Sequence, residues 1–388
     1  MKRFAKTILL AAAAAAVCLF AHSGRAEKTV TLTFTGDCTL GSQEFRRGQP
    51  DSLDAFAARE GYDYFFANFR DMFSADDCTV VNLEGVLSNT ASGESSSKTY
   101  CFRGPTDFVN ILTGSSIEVA GIANNHIMDY STIGFRKTMA TLDDAGVAWI
   151  RALDCYVLEK DGIRVAVFAT DYSIVNTQGE RVLRKMREMK ANGEANAIAV
   201  IFHNGNEYDA KHTDLQERKA AEYIENGADL VIMHHPHVVQ GITVNNNRSV
   251  FYSLGNFVFG GNKDIKEKQY RNTTRITTSL YTLVVQARLR FRDDGTYLGQ
   301  QMIVYPGYTS GDAPRNNYQP RRVTVEETEP IMDAIRFDSS MDIPDPIPDE
   351  NGLARIIMPF LSAAKPGSGV PGAGVPENPP ERPERGTR

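Results

Sequence analysis

Five places along the chain pair an apolar, strand-like run with polar side chains of ligand type at its end. Thr31–Thr35 runs into Gly36-Asp37, Val80-Val81 into Asn82-Leu83-Glu84, and Val119–Ala123 into Asn124-Asn125-His126. Ile198–Phe202 runs into His203-Asn204-Gly205, and Leu230–Met233 into His234-His235-Pro236-His237. Of the 7 histidines, all but His22 and His212 stand at these run ends. Singly, each signal is weak. A Gly-Asp after a strand is ordinarily a turn, Asn-Asn-His ordinarily a loop bonding to its own backbone, and a lone His203 a satisfied core residue. His-x-His carries more, because alternate residues of an extended segment face the same side. Together Asp37, Glu84, Asn125, His203, His235 and His237 offer mixed oxygen and nitrogen donors. That set suits divalent Mn, Fe or Zn better than Ca or Mg, whose shells are all oxygen. Two such ions need a bridging carboxylate and would activate a water between them.

To bring these residues together, the runs must lie side by side in the same direction. Candidate strands are Val30–Thr35, Thr79–Leu83, Ile117–Ala123, Arg164–Ala169, Ala197–Phe202, Leu230–Met233 and Val250–Tyr252. Helical patterns at Gly134–Ala145, Arg181–Ala191 and Thr213–Asn226 fall between them. Strand and helix alternating imply βαβ units and a largely parallel α/β sheet, whose strand ends share one edge where sites form. Leu283–Phe291 and Tyr297–Val304 alternate in polarity around Arg292-Asp293-Asp294-Gly295, which predicts an antiparallel hairpin.

The same residues carry a resemblance. Gly36-Asp37-Cys38-Thr39-Leu40-Gly41, Asn82-Leu83-Glu84 and Phe102-Arg103-Gly104-Pro105 are followed by Ala123-Asn124-Asn125-His126-x-x-Asp129. His203-x-Gly205-x-Glu207-Tyr208, then Gly227-Ala228-Asp229 leading to His235-Pro236-His237 and Gln240, then Tyr252-Ser253-Leu254-Gly255-Asn256-Phe257 complete the order. Across Val30 to Phe259 this series resembles the CapA-type poly-γ-glutamate capsule biosynthesis family, of the metallophosphatase-like superfamily. The resemblance implies a four-layer αββα sandwich of calcineurin-like metallophosphatase type, with mixed sheets. It implies one or two divalent metal ions, with Asp37, Glu84 and His237 on one and Glu84, Asn125, His203 and His235 on the other. His126 would stand beside them as proton donor or transition-state ligand, oriented by Asp129. Departures are Asp37-Cys38-Thr39 where the superfamily has DxH, Asn204 for a tryptophan, and Ser131 and Met233 for glycines.

The chain of 388 residues, 42% hydrophobic and 23% charged, has the composition of an ordinary globular protein. Lys2, Arg3 and Lys6, the apolar Ile8–Ala21 and Gly24-Arg25-Ala26 read as a signal peptide over 1–26. The apolar stretch falls short of the roughly 20 residues of a membrane span. An exported chain, periplasmic, cell-surface or secreted, is expected, with a retained anchor as the alternative. Cleavage would leave 38 basic against 48 acidic residues, a net charge of −10, which speaks against nucleic acid as a partner. Cys38, Cys78, Cys101 and Cys155 would remain, so one or two disulfides are expected in an oxidising compartment, Cys78–Cys101 among them. The main domain is expected over 27–338, and the Pro- and Gly-rich 339–388 as a disordered tail.

Two functions follow from the resemblance and the ligand set. One is an exported metal-dependent hydrolase acting on a phosphoester or amide-type bond, tied to poly-γ-glutamate or another envelope polymer. The other is a non-catalytic accessory factor that binds an anionic polymer beside capsule synthesis machinery at the membrane. A purely structural metal is the third reading. An acidic chain binding such a polymer needs a local basic surface, for which Arg103, Arg136 and Arg151 are candidates.

Overall fold

Polarity alternates along the first strand, and its two faces meet different surroundings. A computed structural model describes residues 27–363; the expected leader, with Cys18, and the chain beyond 363 lie outside the described residues. In β1 (Glu27–Thr39), Val30, Leu32 and Phe34 face one core, while Cys38 and the following Leu40 belong to a second. β2 (Cys78–Leu83), β3 (Val119–Gly121) and β4 (Ala148–Ile150) add on in parallel at one side of β1.

Seven further strands concern the second sheet and the return to the first. These are β5 (Tyr156–Lys160), β6 (Ile163–Asp171), β7 (Ala197–His203), β8 (Leu230–His234), β9 (Ile242–Asn245), β10 (Arg248–Phe251) and β11 (Asn256–Phe259). The long hairpin is present as β12 (Tyr281–Arg292) and β13 (Tyr297–Tyr308), and β12 lies antiparallel to β1 on its other side. The larger sheet has eleven strands and the smaller six, the latter in the order β9-β10-β8-β7-β6-β5 with a parallel centre. Every residue of β7 and of β8 is buried, as expected of parallel strands covered on both faces. The mixed α/β class read from the sequence is thus present.

One core joins Val30, Leu32, Phe34, Val80, Leu283 and Val285 of the larger sheet to Val165, Val167, Ala197 and Ala199 of the smaller. The opposite face of the larger sheet, with Val81, Ala120 and Ile303, carries α1 (Leu53–Glu60), α2 (Arg70–Ser74), α3 (Val109–Thr113) and α4 (Ser131–Ala145). On the smaller sheet, α5 (Tyr172–Ala191) packs Val182, Met186 and Met189, and α6 (Asp214–Glu225) packs Ala220, Tyr223 and Ile224. Each fully buried aliphatic or phenylalanine side chain stabilises by about 1.5–3 kcal/mol. Capping is explicit. Asp171 accepts from Ile174 N at 2.8 Å, and Thr213 with Gln216 forms a capping box.

Two expectations are corrected. Ordered chain continues past Asp338: β14 (Ala354–Ile357) pairs with β13, and its Ala354 and Ile356 are fully buried. The alternation Ala354, Ile356 is too short and too close to prolines to stand out as a strand. The four described cysteines are free thiols. Cys78 opens β2 within the core between the sheets, whereas Cys101 packs with Val86 and Tyr130 beyond the opposite end of that strand, so the expected Cys78–Cys101 bridge does not form.

Candidate metal centre

The carboxyl ends of β1, β2, β3, β7 and β8 converge, and the register explains why. Asp37 lies opposite Asn82 across β1 and β2, and opposite Asn256 across β1 and β11, with register shifts on both sides. Gly36 makes this possible. A Cβ there would come within 2.4 Å of Gly255 O, so only glycine lets the two backbones meet. Asn124 clamps the loop after β3, donating to Leu83 O at 2.8 Å while its side-chain oxygen accepts from His126 N at 3.1 Å. After β8 the backbone turns back through positive φ at His235 (98°) and His237 (58°), a strained conformation for side chains other than glycine that recurs at functional sites.

The two carboxylates at the centre are both fully buried but differently served. Asp37 Oδ1 accepts from Asn82 Nδ2 at 2.8 Å and lies 3.1 Å from His234 Nδ1. Its Oδ2 accepts from His235 N at 3.2 Å and lies 3.4 Å from His237 Nδ1. Burial would raise its pKa, yet bonds from His234 and His237 hold it well below the usual carboxylate value. Glu84 has no such support: neither oxygen has a hydrogen-bond partner among the described residues. Its Oε1 faces three imidazoles, 3.5 Å from His203 Nε2 and 3.9 Å from the Nε2 of His126 and of His237. Burial pushes Glu84 up to about 7, opposed by His237 and reinforced by Asp37.

Ligand atoms of Asp37, Glu84 and His237 lie within 4.8 Å of one another, as do those of Glu84, His203 and His235. Glu84 is common to both groups. Asn125 Oδ1 sits 2.8 Å from His203 Nε2, beside the second group. Burial lowers His203 and His235 to about 3 each, which keeps both imidazoles neutral, the form that binds a metal. His237 differs: burial pushes it down, but Glu84 and Asp37 outweigh that and lift it to about 9. A pair of triads sharing one orphaned buried carboxylate is a site chemically fitted to divalent cations, because an unpaired buried charge is otherwise costly.

His126 stands apart from both triads. Its Nδ1 is 2.7 Å from Asp129 Oδ2, and its ring lies against Phe102 with centroids 4.5 Å apart. Asp129 is fully buried and also receives Phe102 N at 2.7 Å and Lys98 Nζ at 2.6 Å. With Nδ1–H given to Asp129, the other ring nitrogen faces Glu84. A cleft of about 600 Å³ opens beside the centre, with His126, His237, Glu207 and Tyr208 in its lining. Arg46, Lys263, Lys266 and Lys268 also line it.

All eight residues singled out from the sequence gather at this edge. Sequence reasoning left out Asn82, His234, Asn256, Lys98 and Glu207 as contributors. Asn82, His234, Asn256 and Glu207 lie inside the quoted runs and motifs, where their approaches to Asp37, His235 and His237 were not legible. Lys98 stands in a polar loop with no pattern to mark it. The basic surface also lies elsewhere: Arg103 is buried and bonded to Glu44 and Ser88 O, so it is not a free charge, and Arg151, over Phe135, is not among the cleft residues. Arg136 is exposed on α4 and is not among the cleft residues.

The fold and this edge define an α/β protein with a candidate two-position cation centre at converging strand ends. Residues 31–261 match the family described as "Bacterial capsule synthesis protein PGA_cap", and the chain belongs to that family. "PGA biosynthesis protein CapA" of Bacillus subtilis is 28% identical over 281 residues, 66% of this chain and 73% of that protein. "Capsule biosynthesis protein CapA" of Bacillus anthracis is 26% identical over 259 residues, and the match spans 61% of either chain. A "Probable polyglutamine synthesis accessory protein" of Mycobacterium tuberculosis is 38% identical over 80 residues, 20% of each chain. Among solved structures, a hypothetical protein from Thermus thermophilus aligns over 71% of this chain and 99% of its own, at a TM-score of 0.42 and 12% identity.

Proposed function

We propose that this chain is an exported metal-dependent hydrolase of capsule or cell-envelope polymer synthesis, built as a four-layer αββα sandwich of calcineurin-like metallophosphatase type. The observation that carries the reading is Glu84, fully buried between three imidazoles with neither oxygen hydrogen-bonded among the described residues. Asp37, Glu84 and His237 would hold one Mn, Fe or Zn ion. Glu84, His203, His235 and Asn125 would hold the other. Ions so held would supply Lewis acidity and would lower the pKa of a bound water so that hydroxide is available at neutral pH. His126 gives or takes a proton at Nε2, and Asp129 holds the ring through Nδ1. Lys98 and the Phe102 N–H keep Asp129 in place.

The cleft chemistry supports an anionic substrate, a phosphoester or a carboxylate-bearing polymer, because Lys266 and Lys268 line it with no ion pair among the described residues, beside Arg46 and Lys263, which are paired with Asp51 and Asp264. Export rests on the leader over 1–26; no helix among the described residues is long and apolar enough to cross a membrane. Capsule synthesis machinery at the membrane is the partner this reading implies. The basic cleft lining also favours a second reading, an accessory factor that holds an anionic polymer without cleaving it. Metal analysis of the purified protein, paired with phosphoester and γ-glutamyl hydrolysis screens, tests the first reading. Tight metal with no turnover on any substrate, and with full complementation of a capsule-defective strain by His126→Ala, would put the accessory reading first.

A further inference from the structure

Glu207 lies outside the ligand set that the strand-end pattern defines. Nevertheless its carboxylate and ring nitrogens of His235 and His237 lie within 4.8 Å of one another. The loop after β7 puts it there. Gly205 has φ +142°, and a Cβ on it would approach Pro236 Cγ to 2.9 Å, so the loop lies directly on the His235-Pro236-His237 turn. Tyr208 N–H donates to Pro236 O at 2.8 Å, with Tyr208 itself at φ 57°. Two strained segments are thus pinned to each other with Glu207 between them and the cleft. Its side chain is exposed and makes no hydrogen bond or ion pair among the described residues. His235 Nδ1 is buried and likewise without a hydrogen-bond partner.

We propose that Glu207, with His235 and His237, forms an outward-facing position for a divalent transition-metal cation at the mouth of the centre. The proposal rests on the metal-centre reading above. Asp37 and Glu84 are fully buried, so a cation must shed its water before it reaches them. An exposed carboxylate flanked by two imidazoles replaces part of that water at the entrance, giving the site the entry path a buried metal centre requires. His235 and His237 also belong to the inner triads, so an ion at the mouth draws on imidazoles already engaged inside. The mouth position is therefore the weaker and faster-exchanging one.

Calorimetric titration of Zn(II) or Mn(II) into the metal-free full chain reads this out directly. Wild type should show a tight class of binding and a weaker additional one. Glu207→Gln, isosteric and on an exposed residue, should keep the tight class and weaken the additional one at least about tenfold, the usual minimum for loss of a group that supports a metal. Glu207→His should retain the additional class, and Glu267→Gln, an acid lining the same cleft, should leave both classes unchanged. If Glu207→Gln titrates like wild type while Glu84→Gln loses the tight class, the mouth position is overturned and the inner centre stands. If wild type shows no tight class at all, the metal-centre reading fails and takes this proposal with it.

Discussion

Glu84→Gln separates a metal ligand from a merely buried acid, because its effect on stability should depend on whether metal is present. In metal-free protein the wild-type carboxylate is a liability. Burial, opposed by His237 and reinforced by Asp37, lifts it to about 7 from an ordinary value of 4.5. A folded-state pKa above the unfolded one means that folding favours the protonated form. No penalty exists below about pH 4.5; it grows as pH rises and is complete above about 7. A shift of that size corresponds to about 3 kcal/mol once Glu84 is ionised. Glutamine removes this penalty but also one of the charges that, against burial, hold the His237 proton up to about 9. The gain for metal-free Glu84→Gln at pH 8 is therefore bounded at about 3 kcal/mol. With metal at a thousand times its Kd, wild type gains about 4.1 kcal/mol that the variant forfeits, more than the bound on its metal-free gain. Thermal melts at pH 8, with chelator and with added Mn(II) or Zn(II), should show the variant at or above wild type in chelator and below it in metal. An equal drop under both conditions would mean that Glu84 is a structural residue, and the argument from its missing partners would fall.

His126→Ala should keep its metal and its melting temperature while losing about 10²–10⁴-fold in turnover on any substrate found; elemental analysis beside the rate assay checks this, and loss of metal would make His126 a ligand. His203→Ala or His235→Ala should lower bound metal sharply, whereas His212→Ala should not. His212 instead bonds Asp338 at 2.9 Å and stacks 3.6 Å from Tyr252, so its loss should appear as a lower melting temperature alone. Gly36→Ala should destabilise and strip metal, since its Cβ would meet backbone at 2.4 Å; a variant with wild-type metal content would show that the strands can part. Thiol titration of protein comprising residues 27–388 should find four free cysteines after denaturation. In the folded state Cys38 should resist, because burial pushes its thiol up to about 12.

The parallel strands were legible because each is a near-continuous apolar run ending in a polar one, a contrast that survives without any knowledge of neighbours. The candidate site was legible for the same reason. Helices α1 to α3 were not, since they are short and their apolar residues serve a core that exists only once the sheet has formed. Lys98 escaped because nothing local ties a charge in a polar stretch to a residue 31 positions away, and Glu207, though inside a quoted motif, because nothing in that motif ties it to His235, 28 positions on. The basic surface was misplaced because charge on paper does not show pairing: Arg103 is neutralised by Glu44, 59 residues earlier.

The closing strand has a bearing on how a shortened form of this chain behaves. β14 lies along β13 with its two inward side chains fully buried, and Leu361-Ser362 pairs further down the same strand. A chain ending at Asp338 would leave that stretch of β13, with Ile303 and Val304, as an open strand edge carrying unpaired amides and carbonyls. Open edges recruit other strands. Such a truncated protein would keep every side chain of the metal centre and still tend to self-associate through its sheet, so its insolubility would say nothing about the chemistry of the site.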